Sequence, residues 1–214
     1  MKKLITERKV IEQAKRSKEF EITGDEIITA LARDKAKQLG IVFKKSSPKA
    51  PENSATSGSL KAGAEKKVAI GADHGGFALK EFLKKVLKDS GYTIVDVGTN
   101  STQSVDYPDF AHAVAQLVSD GDCFRGIMID GAGIGSCMAA NKVPNVRAAM
   151  CYDISSAVNS REHNNANVLT LGGKMIGELV AEHIVKVWMK TEYAGGRHQA
   201  RIDKINAIEK KYLK

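Results

Sequence analysis

From residue 66 onward the chain alternates two hydrophobic rhythms. Val68-Ala69-Ile70, Tyr92 to Val97, Ile127-Met128-Ile129, Val146 to Cys151 and Val168 to Leu171 each predict a strand, the short apolar run of the third a buried one. Between them apolar positions recur every three or four residues, the period of a helix that buries one face. Leu79, Phe82, Leu83, Val86 and Leu87 form one such stripe, closed by Gly91, and Phe110, Ala113, Val114, Leu117 and Val118 form another. A helix-compatible run, Ser136 to Lys142, follows the third strand and a helix through Arg161 follows the fourth. A long helix from Met175 to Met189 follows the fifth, and a last helix begins near Arg197. Five strand–helix units in succession predict an α/β fold, a parallel sheet covered by helices on both faces. In such sheets ligands sit outside the carboxyl ends of the strands.

The first 44 residues follow a different pattern. Val10 to Lys15 is a short amphipathic helical run and Phe20 to Thr23 alternates as a strand does. Thr23-Gly24-Asp25 can cap a helix carrying Ile27, Ile28, Leu31, Ala32 and Ala36 on one face; Gly40 closes it before Ile41-Val42-Phe43. So short a unit buries little surface, so it is expected to order only against something else. Residues 45–65, KSSPKAPENSATSGSLKAGAE, are rich in Ser, Pro, Ala and Gly and predict a flexible linker. The expected organisation is an extension (1–44), a linker (45–65) and a main domain (66–214).

With 43% hydrophobic and 27% charged residues, the composition is that of a soluble globular protein. The net charge of +8 is spread over helix faces and both termini without aromatic interleaving, so it does not suggest a nucleic-acid partner; small acidic substrates fit it as well. Cys123, Cys137 and Cys151 have no metal-ligand spacing and read as buried, reduced thiols. No apolar run is long enough for a membrane span and no leader pattern opens the chain, which predicts a cytoplasmic protein.

The candidate chemistry centres on residues 126–142, GIMIDGAGIGSCMAANK. A strand ends in Asp130, three glycines follow at alternate positions (Gly131, Gly133, Gly135), and a helix opens. Glycine lets the backbone approach a ligand, and a helix N-terminus offers free N–H groups to an anion. The turn therefore suits a phosphate or a developing oxyanion, with a carboxylate beside it. Taken alone it could also be a packing turn, or, with Asp153 near ribose-binding spacing, a nucleotide site. Asp73-His74 ends the first strand, as a site or as a turn cap. Arg161-Glu162-His163-Asn164-Asn165 is a polar cluster that ends a helix. Arg197 and Arg201 stand four apart, on one helix face, where they can clamp an anion or simply face water.

In combination, VAIGADHGGFALK, VDVGT, DYPDFA, DGAGIGSCMAANK, RAAMCYD, SREHNNANVLTLGG and GGRHQARI occur in the order and nearly the spacing of the type B ribose-5-phosphate isomerases, the family that also holds the galactose-6-phosphate isomerase subunits. The resemblance covers residues 67 to about 210. It implies a Rossmann-like α/β/α fold, dimers or tetramers with active sites at the dimer interface, and interconversion of an aldose and a ketose phosphate without metal or organic cofactor. By motif, Asp73, His74 and Tyr107 would contact the substrate. His163 would open the sugar ring, Asn164 would hold a hydroxyl or the enediolate, and Arg197 and Arg201 would clamp the phosphate. Some of these residues would come from the partner chain. The chemistry is consistent: isomerisation needs a base, donors for an enediolate, and a fixed grip on the phosphate. Amides of the Gly131–Gly135 stretch, Ile134 among them, suit the enediolate.

The chain departs from the family at the base. Many members place Cys where Asp130 stands and Thr or Ser where Ala132 stands; others place a Glu base at the position of Ser136. Asp130 is therefore the expected base, its basicity raised by desolvation. Cys137, one helical step further, should face elsewhere. The alternatives are a different phosphosugar, such as galactose or allose 6-phosphate, or a binding protein without catalysis. In the extension, ITGDEIITALARDKAKQLGIVF resembles a "TPLARD…A…GI" segment of enzymes associated with bacterial microcompartments, with Ala30 in place of the Pro. That resemblance implies a shell-docking segment, the alternative being an extra dimer contact.

Overall fold

The computed structural model describes residues 4–5, 7–14, 17–22, 27–28, 30–45 and 60–212. They fall into two compact units divided between Ala55 and Thr56. The first holds β1 (Leu4–Ile5), α1 (Glu7–Ala14), β2 (Glu19–Ile22), β3 (Ile27–Ile28), α2 (Ala30–Leu39) and β4 (Val42–Lys45). Strand β1 pairs with β3, and β2 with β4, both in parallel. Ile5, Val10, Ala32, Ala36 and Ile41 make a small core, and Phe20 packs on Phe43. Ile27 and Ile28 were expected on a helix face and instead form a strand. Two β-branched residues fit a ladder better than a helix, and Leu4-Ile5 supplies the partner. The Thr23-Gly24-Asp25 cap lies outside the described residues.

The second unit carries β5 (Lys67–Ala72), α3 (Phe77–Asp89), β6 (Thr93–Asp96), α4 (Tyr107–Ser119), β7 (Arg125–Asp130), α5 (Ile134–Ala140), β8 (Ala148–Met150), α6 (Ile154–Glu162), β9 (Val168–Gly172), α7 (Glu178–Lys190) and α8 (Gln199–Tyr212). The five strands form one parallel sheet in the order β6-β5-β7-β9-β8. This is the predicted Rossmann-like α/β/α architecture. Helices α3, α6 and α7 cover one face through Leu79, Leu83, Ala157, Ile184 and Trp188. On the other face lie Ala111, Val114, Val118 and Ala140 of α4 and α5. Every residue of β7 is buried, as a central strand covered on both faces must be. The stretch 60–65, expected as linker, packs on this unit: Lys61 donates its backbone N–H to Gly121 and pairs with Asp122, and Ala64 is buried. Residues 46–59 lie outside the described residues.

The chain runs from β5 outward to β6 and then returns to β7 on the other side of β5. The carboxyl ends of β5 and β7 therefore flank the point where strand order reverses, the place an open α/β sheet leaves a crevice.

Candidate active site

Two turns meet at that crevice. After β5, the buried Asp73 folds back: its Oδ1 accepts the amides of Gly75 and Gly76 at 2.8 and 3.0 Å. His74 Nδ1 accepts the amide of Val105 at 3.3 Å. A ring nitrogen that accepts carries no proton, so His74 is the neutral Nε2–H tautomer, and its 3.9 Å approach to Asp73 Oδ2 is not an ion pair. Tyr107 opens α4, and its ring lies so close to α5 that a Cβ at Gly135 would stand 2.5 Å from it. Only glycine fits under that ring.

After β7 the chain turns through Gly133 at φ +82°, a conformation in which a side chain is strained. Asp130, 4% exposed, closes the turn on itself. Its Oδ1 accepts the amides of Ala132 (2.8 Å) and Gly133; its Oδ2 accepts the amide of Ser136 (3.0 Å) and the Ser136 hydroxyl (2.5 Å). Both oxygens thus hold two donors each, filling the roughly four lone-pair positions of a carboxylate. Two of the amides expected to serve a substrate oxyanion, those of Ala132 and Gly133, serve Asp130 instead, as does the Ser136 amide; Ile134 and Gly135 are the first-turn amides it does not engage. Tyr152 donates its hydroxyl to the carbonyl of Ala132 at 2.7 Å and steadies the turn. Cys137 points the other way, toward the Ala148 carbonyl.

The second cluster is built from side chains. His163 caps the carboxyl end of α6, and Asn159 Nδ2 contacts its Nδ1 at 2.9 Å. An amide NH₂ can only donate, which again leaves the proton on Nε2. The exposed Asn164 follows, and Ala194 ties the last loop to Glu162. That loop delivers Arg197 in a 3₁₀ turn (Gly196–His198) and Arg201 in the first turn of α8, both exposed, with Arg201 donating to the Arg197 carbonyl at 2.9 Å. The helix expected to begin near Arg197 thus starts as this tighter turn.

Two buried guanidiniums hold the loop in place. Arg125 donates to the carbonyls of Trp188 (2.6 Å) and Thr191 (3.3 Å), and Arg161 to Thr191 (3.2 Å), Asn165 and Ala166. Both lie over the Trp188 ring, at 5.2 and 5.7 Å. Burial, with Arg125 alongside, pushes Arg161 down to about 9.

The two clusters occupy opposite edges of the sheet. Asn167, four residues after His163, accepts the amide of Gly126 near the start of β7. Asp130 lies four residues further along that strand, about 13 Å away. The nine-residue α6, about 13 Å long, spans the same gap between Asp153 and His163. One chain therefore gathers Asp73, His74, Tyr107, Asp130 and the glycine turn at its carboxyl edge, but leaves His163, Asn164, Arg197 and Arg201 at its amino edge. Asp153 caps α6 by accepting the Ser156 amide at 2.8 Å, the role of a helix cap rather than a ribose ligand.

Sequence reasoning passed over Lys174. It follows β9, donates its amide to Gly131 and lays its side chain alongside that glycine, which adds a cation to the carboxyl edge. Its position one residue past the double glycine of the neighbouring strand was the available signal.

Residues 68–205 match the sequence pattern of the Ribose/Galactose Isomerase family. Ribose-5-phosphate isomerase B of Escherichia coli is 43% identical over 146 residues, 68% of this chain and 98% of that protein. Among solved structures, the Clostridium thermocellum ribose-5-phosphate isomerase B shares 51% identity, covering 68% of this chain and 99% of its own, with a TM-score of 0.68. The Mycoplasma genitalium ribose-5-phosphate isomerase B, solved with bound ribulose 5-phosphate, shares 42% identity over 67% of this chain and 96% of its own, with a TM-score of 0.65. With its sheet, its glycine turn and its arginine loop all inside the matched region, the chain belongs to the ribose/galactose isomerase family.

Proposed function

We propose that this chain interconverts ribose 5-phosphate and ribulose 5-phosphate through an enediolate, in an active site made by two copies. The observation that carries the pairing is the separation of the two clusters. Ring opening acts on the oxygens at C1 and C4, and proton abstraction acts on C2 beside them. Groups about 13 Å apart cannot serve the same sugar, so His163 and Asp130 must come from different copies. Exposed Ile134 and Met138, one turn apart on α5 beside the glycine turn, offer an apolar surface for the second copy.

His163 shuttles a proton from the C1 hydroxyl to the ring oxygen, ending neutral as it began, and so frees the aldehyde. Asp130 takes the C2 hydrogen and returns it to C1, while a proton passes from O2 to O1. The amides of Ile134 and Gly135, with the His74 Nε2–H, face the enediolate oxygens. Arg197 and Arg201 hold the phosphate, so its binding energy orients the reacting carbons. For Asp130 to act as a base one donor must leave it, and the Ser136 hydroxyl is the one that rotates. That saturation also favours a second reading, a sugar-phosphate binder without turnover. A coupled assay over ribose, allose and galactose phosphates, with Asp130→Asn alongside, separates the two. The first reading expects ribose 5-phosphate turnover that falls by at least about 100-fold in the variant; the second expects ligand-dependent thermal stabilisation and no turnover.

The first unit serves location. Its own core and the resemblance of its sequence to microcompartment-associated extensions support a docking segment for a microcompartment shell, with the enzyme otherwise cytoplasmic. Deleting residues 1–59 should leave turnover within about twofold and abolish co-sedimentation with shell proteins; loss of turnover would point to a dimer contact instead.

A further inference from the structure

We propose that His198 is a positioning residue for ring opening, its imidazole stacked on His163 so that the acid–base nitrogen stays in one plane. The inference rests on the isomerase reading above. The two rings lie parallel, with centroids 4.1 Å apart and planes 11° apart. His163 needs such support. It caps the carboxyl end of a helix, half exposed, and its hydrogen bond to Asn159 fixes the tautomer but leaves the ring free to swing about that contact. A flat partner removes the swing and presents Nε2–H toward the sugar of the facing copy in a single direction. Orientation of this kind is where a small displacement costs most rate.

The surroundings of His198 suit the task. It sits in the 3₁₀ turn Gly196–His198, between the arginine that precedes it and the first turn of α8. Arg197 Nε points to its Nε2 at 3.5 Å, a long contact but one that a protonated ring would repel. The charged and titratable groups that face it are His163, Arg197 and Arg201, with Glu162 as the one anion. Burial, His163 and the two guanidiniums together hold it below the ordinary imidazole range. It is thereby kept neutral, and a neutral ring can stack on His163 even while that ring carries the proton it is about to give. The loop that brings the phosphate-holding arginines thus also clamps the ring-opening group.

The distinguishing experiment uses the fact that only the aldose is cyclic. Ribulose 5-phosphate cannot close a five-membered ring, because its O5 carries the phosphate, so exchange of its C1 hydrogen with solvent deuterium needs the base and the enediolate but no ring opening. In the full-length protein, His198→Ala should slow conversion of ribose 5-phosphate about tenfold, part of what a positioned acid–base group supplies. Deuterium incorporation at C1 of ribulose 5-phosphate, followed by proton NMR, should stay within about twofold. His198→Phe keeps a flat ring and should bring conversion back to within about threefold of the unmodified protein. Equal losses in conversion and exchange would overturn the proposal, as would full conversion by His198→Ala or failure of His198→Phe to recover. If the unmodified protein showed neither conversion nor exchange, the isomerase reading would fall first and this inference with it.

Discussion

The two edges of the sheet are built from opposite materials. At the carboxyl edge the machinery is mostly backbone: a left-handed glycine, amides folded onto Asp130, and a tyrosine ring seated on a glycine. Asp130, Gly133 and Ser136 at its centre are buried, and it cannot be adjusted one side chain at a time. At the amino edge the candidate groups are side chains, the half-exposed His163 and the exposed Asn164, Arg197 and Arg201, beside a loop whose start buried guanidiniums hold through the carbonyls of Trp188 and Thr191. In the mechanism proposed above, the first edge would handle the reacting carbons, where a displacement of tenths of an ångström matters, and the second would grip a phosphate, which tolerates more slack. On that proposal a chain with these groups at two ends of one sheet pairs with itself to unite them.

The comparison can be broken most decisively by mixing damaged copies. Asp130→Asn cripples one edge and Arg201→Ala the other, each with expected losses of about 100-fold or more in kcat/KM. Co-refolded in equal amounts, they should recover roughly a quarter of full activity, since random pairing makes half the dimers mixed and each mixed dimer keeps one intact site of two. No recovery would mean that both residues serve the same copy's site. A smaller effect sharpens the contrast in materials. Gly133→Ala forces a side chain into φ +82° and should cost about 1–2 kcal/mol of stability as well as activity, whereas the exposed Arg201→Ala should leave Tm within about a degree. Equal Tm changes would deny that one edge is backbone-built and the other not.

The sequence made the main unit readable because its hydrophobic rhythm is clean. Runs such as Ile127-Met128-Ile129 are strands of a covered sheet, and the stripe from Leu79 to Leu87 buries as a helix face. The extension was less readable: whether Ile27-Ile28 continues a helix or pairs as a strand depends on Leu4-Ile5, more than twenty positions earlier. Motifs named the candidate site residues but not their division between edges, which follows from strand order and helix direction. The saturation of Asp130 was invisible because its partners are mainly backbone amides, which every residue here supplies. Arg125 and Arg161 look in the sequence like any surface arginine; only the fold shows them facing helix-end carbonyls rather than water.

Trp188 gives this architecture an optical consequence. It is the chain's single tryptophan, fully buried, with its indole N–H on Ser160 and a guanidinium over it from each of two elements. Its emission therefore reports on the anchorage of the arginine loop, with no label required. A red shift on loosening that loop would be read directly, apart from any change at the glycine turn on the far side of the sheet.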